Sequence, residues 1–212
     1  RNCGGFTRTE QEGTILAQAV VQQLPKLQNN PAATIKVKSK IILLPFQPPP
    51  AMAQLQEIKK SQVQYFQEAK NKINQTGTTG ENQITLNIAQ AMLSWINKTV
   101  HQVKTKQLSK HLLVELQTIR IGNTAIVAVP AEVFVAIGLS IKKSSPAKVT
   151  LFTGYANGDI GYLPDEKAYT AGQPQYETYD APKYYGTPPF RPHVGTIVIN
   201  TVKSVLDKLF SA

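Results

Sequence analysis

Apolar residues recur along this chain with two periods, one of three to four residues that predicts helices and one of two that predicts strands. Thr9 to Glu12 reads as a capping box, with Thr9 as N-cap, and Leu16, Val20 and Leu24 follow at helical spacing. A first helix closing near Pro25 is expected. From Thr34 to Leu44, Ile35 and Val37 alternate with Lys36 and Lys38, a strand with one wet face that Pro45 and the Pro48-Pro49-Pro50 run bring to a halt. Two long helices should come next. Met52, Leu55, Ile58, Phe66, Ala69 and Ile73 form the apolar stripe of one, and Ile84, Ile88, Met92, Trp95, Thr99 and Val103 that of the other. The breaker Thr76-Gly77-Thr78-Thr79-Gly80 separates them, so the pair reads as a helical hairpin.

Leu112 to Ile121 alternates again, Gly122-Asn123 is a two-residue hairpin turn, and Thr124 to Val129 returns as a nearly all-apolar strand, expected to be central and buried on both faces. A helix from about Val133 to Lys143 and a strand from Lys148 to Thr153 complete a β-α-β unit. The chain is then rich in Gly, Pro and Tyr as far as Arg191, and a closing helix carries Ile197, Val198, Val202, Val205 and Leu209. The elements predict an α/β fold: a mixed sheet with flanking helices, including the long hairpin, over residues 1–212 as a single domain.

Composition narrows this picture. Apolar residues make up 42% of the chain, ordinary for a globular protein, and no apolar run is long enough to span a bilayer. Cys3 is the only cysteine, which excludes an internal disulfide and a cysteine-based zinc site. The net charge of +10 is uneven. Residues 1–110 hold 14 basic and 5 acidic side chains, and residues 111–212 hold 9 and 8. The lysines are scattered, with no Arg-rich run or interleaved aromatics, so a solvated basic face comes before an anionic membrane surface, and nucleic acid is not the expected partner.

Candidate chemistry gathers after residue 126. Glu132 follows a buried strand and is expected to open a helix, where free N–H groups favour a carboxylate. Tyr162 ends a loop holding Gly154, Gly158 and Gly161, directly after the next strand. Both residues lie past the C-terminal ends of neighbouring strands, so they can share one crevice, and Tyr176 in the following loop could close over it. His101, His111 and His193 have no ligand spacing, and no P-loop, dinucleotide fingerprint or Ser-His-Asp grouping is present.

The run I-R-I-G-N-T-A-I-V-A-V-P-A-E, then G-Y-A-N-G-D-I-G-Y-L-P and Q-Y-E, resembles the neutral/alkaline non-lysosomal ceramidase family from Arg120 to Glu177. A weaker likeness extends to R-N-C-G-G-F-T-R-T-E at the start. The resemblance implies an amidase that cleaves the N-acyl bond of ceramide or a related lipid, with one zinc held by two histidines, a glutamate and a tyrosine. By motif, Glu132 and Tyr162 are the glutamate and tyrosine ligands, and Tyr176 supports the oxyanion. Ala131 stands where the family has glycine. The family's two zinc histidines belong to motifs upstream of Arg1, and none of the three histidines here fits them. The resemblance therefore implies the C-terminal part of a catalytic domain whose zinc histidines come from an upstream segment or a second chain. It also implies a lipid substrate at a membrane surface and a secreted or extracytoplasmic location.

Two alternatives stand beside it. One is a non-catalytic interaction module on the same scaffold, marked by Glu132 and Tyr162 pointing apart or by Glu132 paired to a lysine. The other is a basic protein that binds nucleic acid or an anionic membrane.

Overall fold

The computed structural model describes residues 5–27, 33–170, 172–173 and 175–211. Cys3, and with it the start of the N-terminal motif, lies outside them. The chain divides into two compact units, Arg1–Thr34 and Ile35–Ala212. The first carries helix α1 (Gly5–Val21) and a short 3-10 turn at Leu24–Lys26. Thr9 does not cap α1. It sits a full turn inside, where its hydroxyl donates to the Gly5 carbonyl at 3.3 Å. No residue of α1 is buried.

The second unit is a mixed α/β structure. Strands β1 (Ile35–Pro45), β2 (His111–Ile121), β3 (Thr124–Ala128) and β5 (Val149–Thr153) form one sheet in the order β1-β2-β3-β5. The first two pairings are antiparallel and β3 to β5 is parallel. Gly122 supplies φ +56° at the tight turn between β2 and β3, as a two-residue hairpin requires. A second, two-stranded ladder pairs β4 (Glu132–Val133) with β6 (Tyr162–Leu163) in parallel. Helix α4 (Val135–Ser144) makes the crossover from β3 to β5.

Helix α7 (Val194–Phe210) packs on β1 and β2 and against α4, closing the main core on one face of the sheet. Leu44, Val114, Leu116, Ala125 and Val127 meet Ile137, Ile141, Val198, Val202 and Leu206 there. The β3 strand is central, with Ala125 and Val127 buried on one face and only Ala128 on the other. Thr124 and Ile126, on its other face, are half-buried, because no layer of the described chain lies over them. For the same reason β1 departs from the expected pattern. Ile35 and Val37 are exposed, at 67% and 56%, and only Leu44 of the strand is buried.

Helices α2 (Met52–Thr76) and α3 (Gly80–Lys104) form the hairpin, with a small core of Leu55, Ile96 and Val100. The buried stripe of α3 runs through Ala89, Met92, Ile96 and Val100, and Ile84 is exposed. The hairpin meets the C-terminal segment rather than the sheet. Between α5 (Glu166–Thr170) and α6 (Ala181–Tyr184) lies one π turn, Tyr176–Asp180, and α3 packs on α6. No helix of the described residues is long and apolar enough to cross a membrane.

Candidate functional site

Parallel pairing of β3 with β5 sends both following segments out at the same end of the sheet. Beyond that end the backbones stay in register. The Val129 amide donates to the Thr153 carbonyl at 3.0 Å, and the Tyr155 amide to the Ala131 carbonyl at 3.0 Å. Gly154 permits this approach, since a Cβ there would lie 2.8 Å from the Ala131 oxygen. The chain then turns through Tyr155 and Asn157, both non-glycine residues at positive φ (53° and 65°), and returns along Glu132.

Glu132 is not at a helix terminus as the sequence suggested. Its amide donates to the Gly161 carbonyl at 2.9 Å and α4 starts only at Val135, so the β4–β6 ladder takes the backbone donor expected to face a ligand. That ladder makes Glu132 and Tyr162 direct register partners, with side chains on the same face. Tyr176, at the start of the π turn, meets Tyr162 edge to face, with ring centroids 6.0 Å apart and planes at 78°. The three side chains singled out from the sequence thus lie side by side. Glu132 and Tyr162 are half-buried and Tyr176 is exposed, so the group is open on one side.

Tyr155 is a neighbour that sequence reasoning missed. Hydrogen bonding to Glu132 holds the Tyr155 and Tyr162 phenols above the ordinary tyrosine value, with desolvation and the carboxylate charge adding to the effect. The signal was available: Tyr155 lies in the same glycine-rich loop as Tyr162, directly after its strand. Asp159 fastens that loop, its carboxylate accepting from the Gly161 amide at 2.9 Å and from the Tyr185 hydroxyl at 3.3 Å. Gly161, at φ +84°, lies under the Tyr185 ring, and a Cβ would come within 2.8 Å of it.

No protein-family model matches the chain, and no curated protein matches it either. Among solved structures it is similar to neutral ceramidase from Pseudomonas aeruginosa, with 20% identity over 43% of this chain and 14% of that one, at a TM-score of 0.34. It is also similar to a ceramidase complexed with C2, with 22% identity over 47% of this chain and 15% of that one, at a TM-score of 0.39. The chain thus spans about one seventh of the solved chains it matches.

A carboxylate and a phenol are oxygen donors that zinc accepts, but a tetrahedral site takes at least three protein ligands. The described residues contain no cluster of three His, Cys, Asp or Glu able to hold a metal. His101 lies on α3, His111 opens β2 and His193 precedes α7, and none of them joins Glu132. Glu132 and Tyr162 are two oxygen donors, fewer than such a site takes. Glu132 has no lysine or arginine partner among the described residues. A cavity of about 550 Å³, lined by Trp95, Tyr169, Tyr179, Lys183 and Pro189, belongs to the hairpin side, and none of Glu132, Tyr162 and Tyr176 lines it.

Proposed function

We propose that this chain forms one wall of a zinc-dependent amidohydrolase site that cleaves the N-acyl bond of ceramide or a related lipid. The observation that carries the reading is the β4–β6 register, with Glu132 beside Tyr162 and Tyr176 packed on Tyr162. These are the residues to which the motif resemblance assigns the glutamate ligand, the tyrosine ligand and the oxyanion donor. Glu132 and Tyr162 would hold the metal, together with imidazoles from outside these 212 residues. When bound, zinc supplies Lewis acidity and a water of lowered pKa. Tyr155, whose phenol is held above its ordinary value by the neighbouring Glu132 carboxylate, is placed to orient that carboxylate. Tyr176 donates its hydroxyl to the oxygen that becomes negative as water adds to the amide carbonyl. The C–N bond breaks, a proton passes to the amine, and a fatty acid and an amine leave. The substrate is met at a membrane surface outside the cytoplasm.

Metal content tests this reading. The 212 residues alone should bind zinc weakly and show no amidase activity. The complex with a histidine-bearing partner should hold about one zinc, as a single catalytic metal requires. That zinc should be lost in Glu132→Ala. Tight stoichiometric zinc on this chain alone would sink the shared site, and a metal-free active complex would sink the zinc.

A further inference from the structure

A cleft opens where the end of α3, the start of β2 and the segment before α7 meet the end of β1. Its frame is hydrogen-bonded backbone. The Phe46 amide donates to the Lys110 carbonyl at 2.9 Å, the Gln47 amide to that of Pro189 at 2.8 Å, and the Arg191 amide to that of Pro45 at 2.9 Å. Phe46 and Phe190 stack at this junction, with ring centroids 5.1 Å apart. The cleft encloses about 600 Å³, within the range of small-ligand sites. Lys106, Lys110, His111, Arg191 and His193 line it, and among the described residues no aspartate or glutamate does.

Helix electrostatics accounts for only one of these cations. Lys106 follows α3, where the negative end of the helix dipole favours it. Even there the backbone is left-handed, at φ +57°, in a position after a helix where glycine is usual. Arg191 and His193 stand at the start of α7, the helix end that disfavours positive charge. The Arg191 Nε donates to the Phe46 carbonyl at 3.2 Å. That bond fixes the guanidinium and leaves both terminal nitrogens without a protein acceptor among the described residues. None of Lys106, Lys110 and Arg191 is ion-paired among the described residues. A cleft lined by one sign of charge raises the local concentration of its counter-ion.

We propose that this cleft binds a diphosphate group, free or carried on a small organic molecule. A single phosphate monoester, at about −1.5 to −2, leaves part of three fixed cations unmatched, whereas a diphosphate can face all of them. Arg191 has two free terminal nitrogens for a bidentate contact, and Lys106 and Lys110 add point charges. His111 and His193 add imidazole donors. The apolar wall of Phe46, Pro48 and Leu108 receives the organic part of an ester. The site is separate from Glu132, Tyr162 and Tyr176, none of which lines it, and it stands without the amidohydrolase reading.

Isothermal titration calorimetry of the full chain at fixed ionic strength tests this, with inorganic pyrophosphate, ADP, sulfate and phosphatidic acid vesicles as probes. The expected result is one pyrophosphate or ADP per chain, bound about tenfold or more tightly than sulfate. Tighter pyrophosphate marks the free anion as the source and tighter ADP an ester, and either upholds the site. Lys106→Asn combined with Lys110→Gln should weaken binding by about tenfold or more, as the loss of charge-assisted contacts does. The melting temperature should not change, since asparagine tolerates the left-handed backbone. Arg191→Gln should weaken binding likewise, and the lysine pair serves if that variant misfolds. Lys70→Gln combined with Lys72→Gln removes equal charge at the far end of α2 and should change affinity less than about twofold, being screened. Equal weakening by that control pair, sulfate bound as tightly, or several anions per chain would make the cleft a charged surface only and overturn the proposal. Binding of the vesicles alone, or no binding, overturns it too.

Discussion

The two faces of the sheet carry similar residues and have opposite surroundings. On one, Leu44, Val114, Leu116 and Val127 lie under α4 and α7 and are almost fully buried. On the other, Ile41 and Leu113, on two of the same strands, and Leu151 of β5 stand in solvent. Alternation along a strand decides which residues share a face. It does not decide which face is covered. The covered face is where the unit gets its stability.

The sharpest way to break this contrast uses one residue type on one strand. Leu116→Ala should cost about 2–5 kcal/mol, because it empties a packed site that collapses only in part. Leu113→Ala, on the opposite face, should cost less than about 0.5 kcal/mol. Urea unfolding of both variants measures the difference, and equal losses would mean that the outer face is covered within this chain.

Gly161→Ala should cost about 1–3 kcal/mol, since it combines a strained positive φ with a Cβ against the Tyr185 ring. Thermal melts give the loss. If the loop then detaches, Glu132 loses its ladder partner while the main core remains, which separates the site from the covered face. A smaller effect is expected on the hairpin side, where the Tyr169 hydroxyl is buried with no hydrogen-bond partner among the described residues. Tyr169→Phe removes a polar group that gains nothing from burial and should stabilise by about 1 kcal/mol. A loss of that size in denaturant titration would mean the hydroxyl has a partner. The smallest effect belongs to the site itself. In the isolated chain Glu132→Ala should change stability by less than about 0.5 kcal/mol, its carboxylate being only half-buried. A larger loss by the same titration would make Glu132 a structural residue first.

Much of the secondary structure was legible because its periods are strong. The hairpin of α2 and α3, the Gly122 turn, the β-α-β unit and α7 all follow from spacing and breakers. The errors have local causes. Thr9 to Glu12 matches a capping box, yet α1 already runs from Gly5, so matching residue types did not mark the helix start. The stripe of α3 was displaced at its start because Ile84 satisfies helical spacing equally well on the exposed side. Glu132 was read onto a helix terminus because nothing in the sequence announces a two-residue strand, whose existence depends on Tyr162 and Leu163 arriving beside it.

The sequence by itself determined the long helices and strands, and it narrowed the candidate chemistry to a carboxylate and tyrosines in the segments after β3 and β5. It could do so because periodicity and turn chemistry are local. Only the tertiary structure decided that Glu132 sits beside Tyr162, that Tyr155 joins them, and that Ile35 and Val37 face outward. Those outcomes depend on ladder register and on which layers exist to cover a face, and both are set by residues distant in the chain.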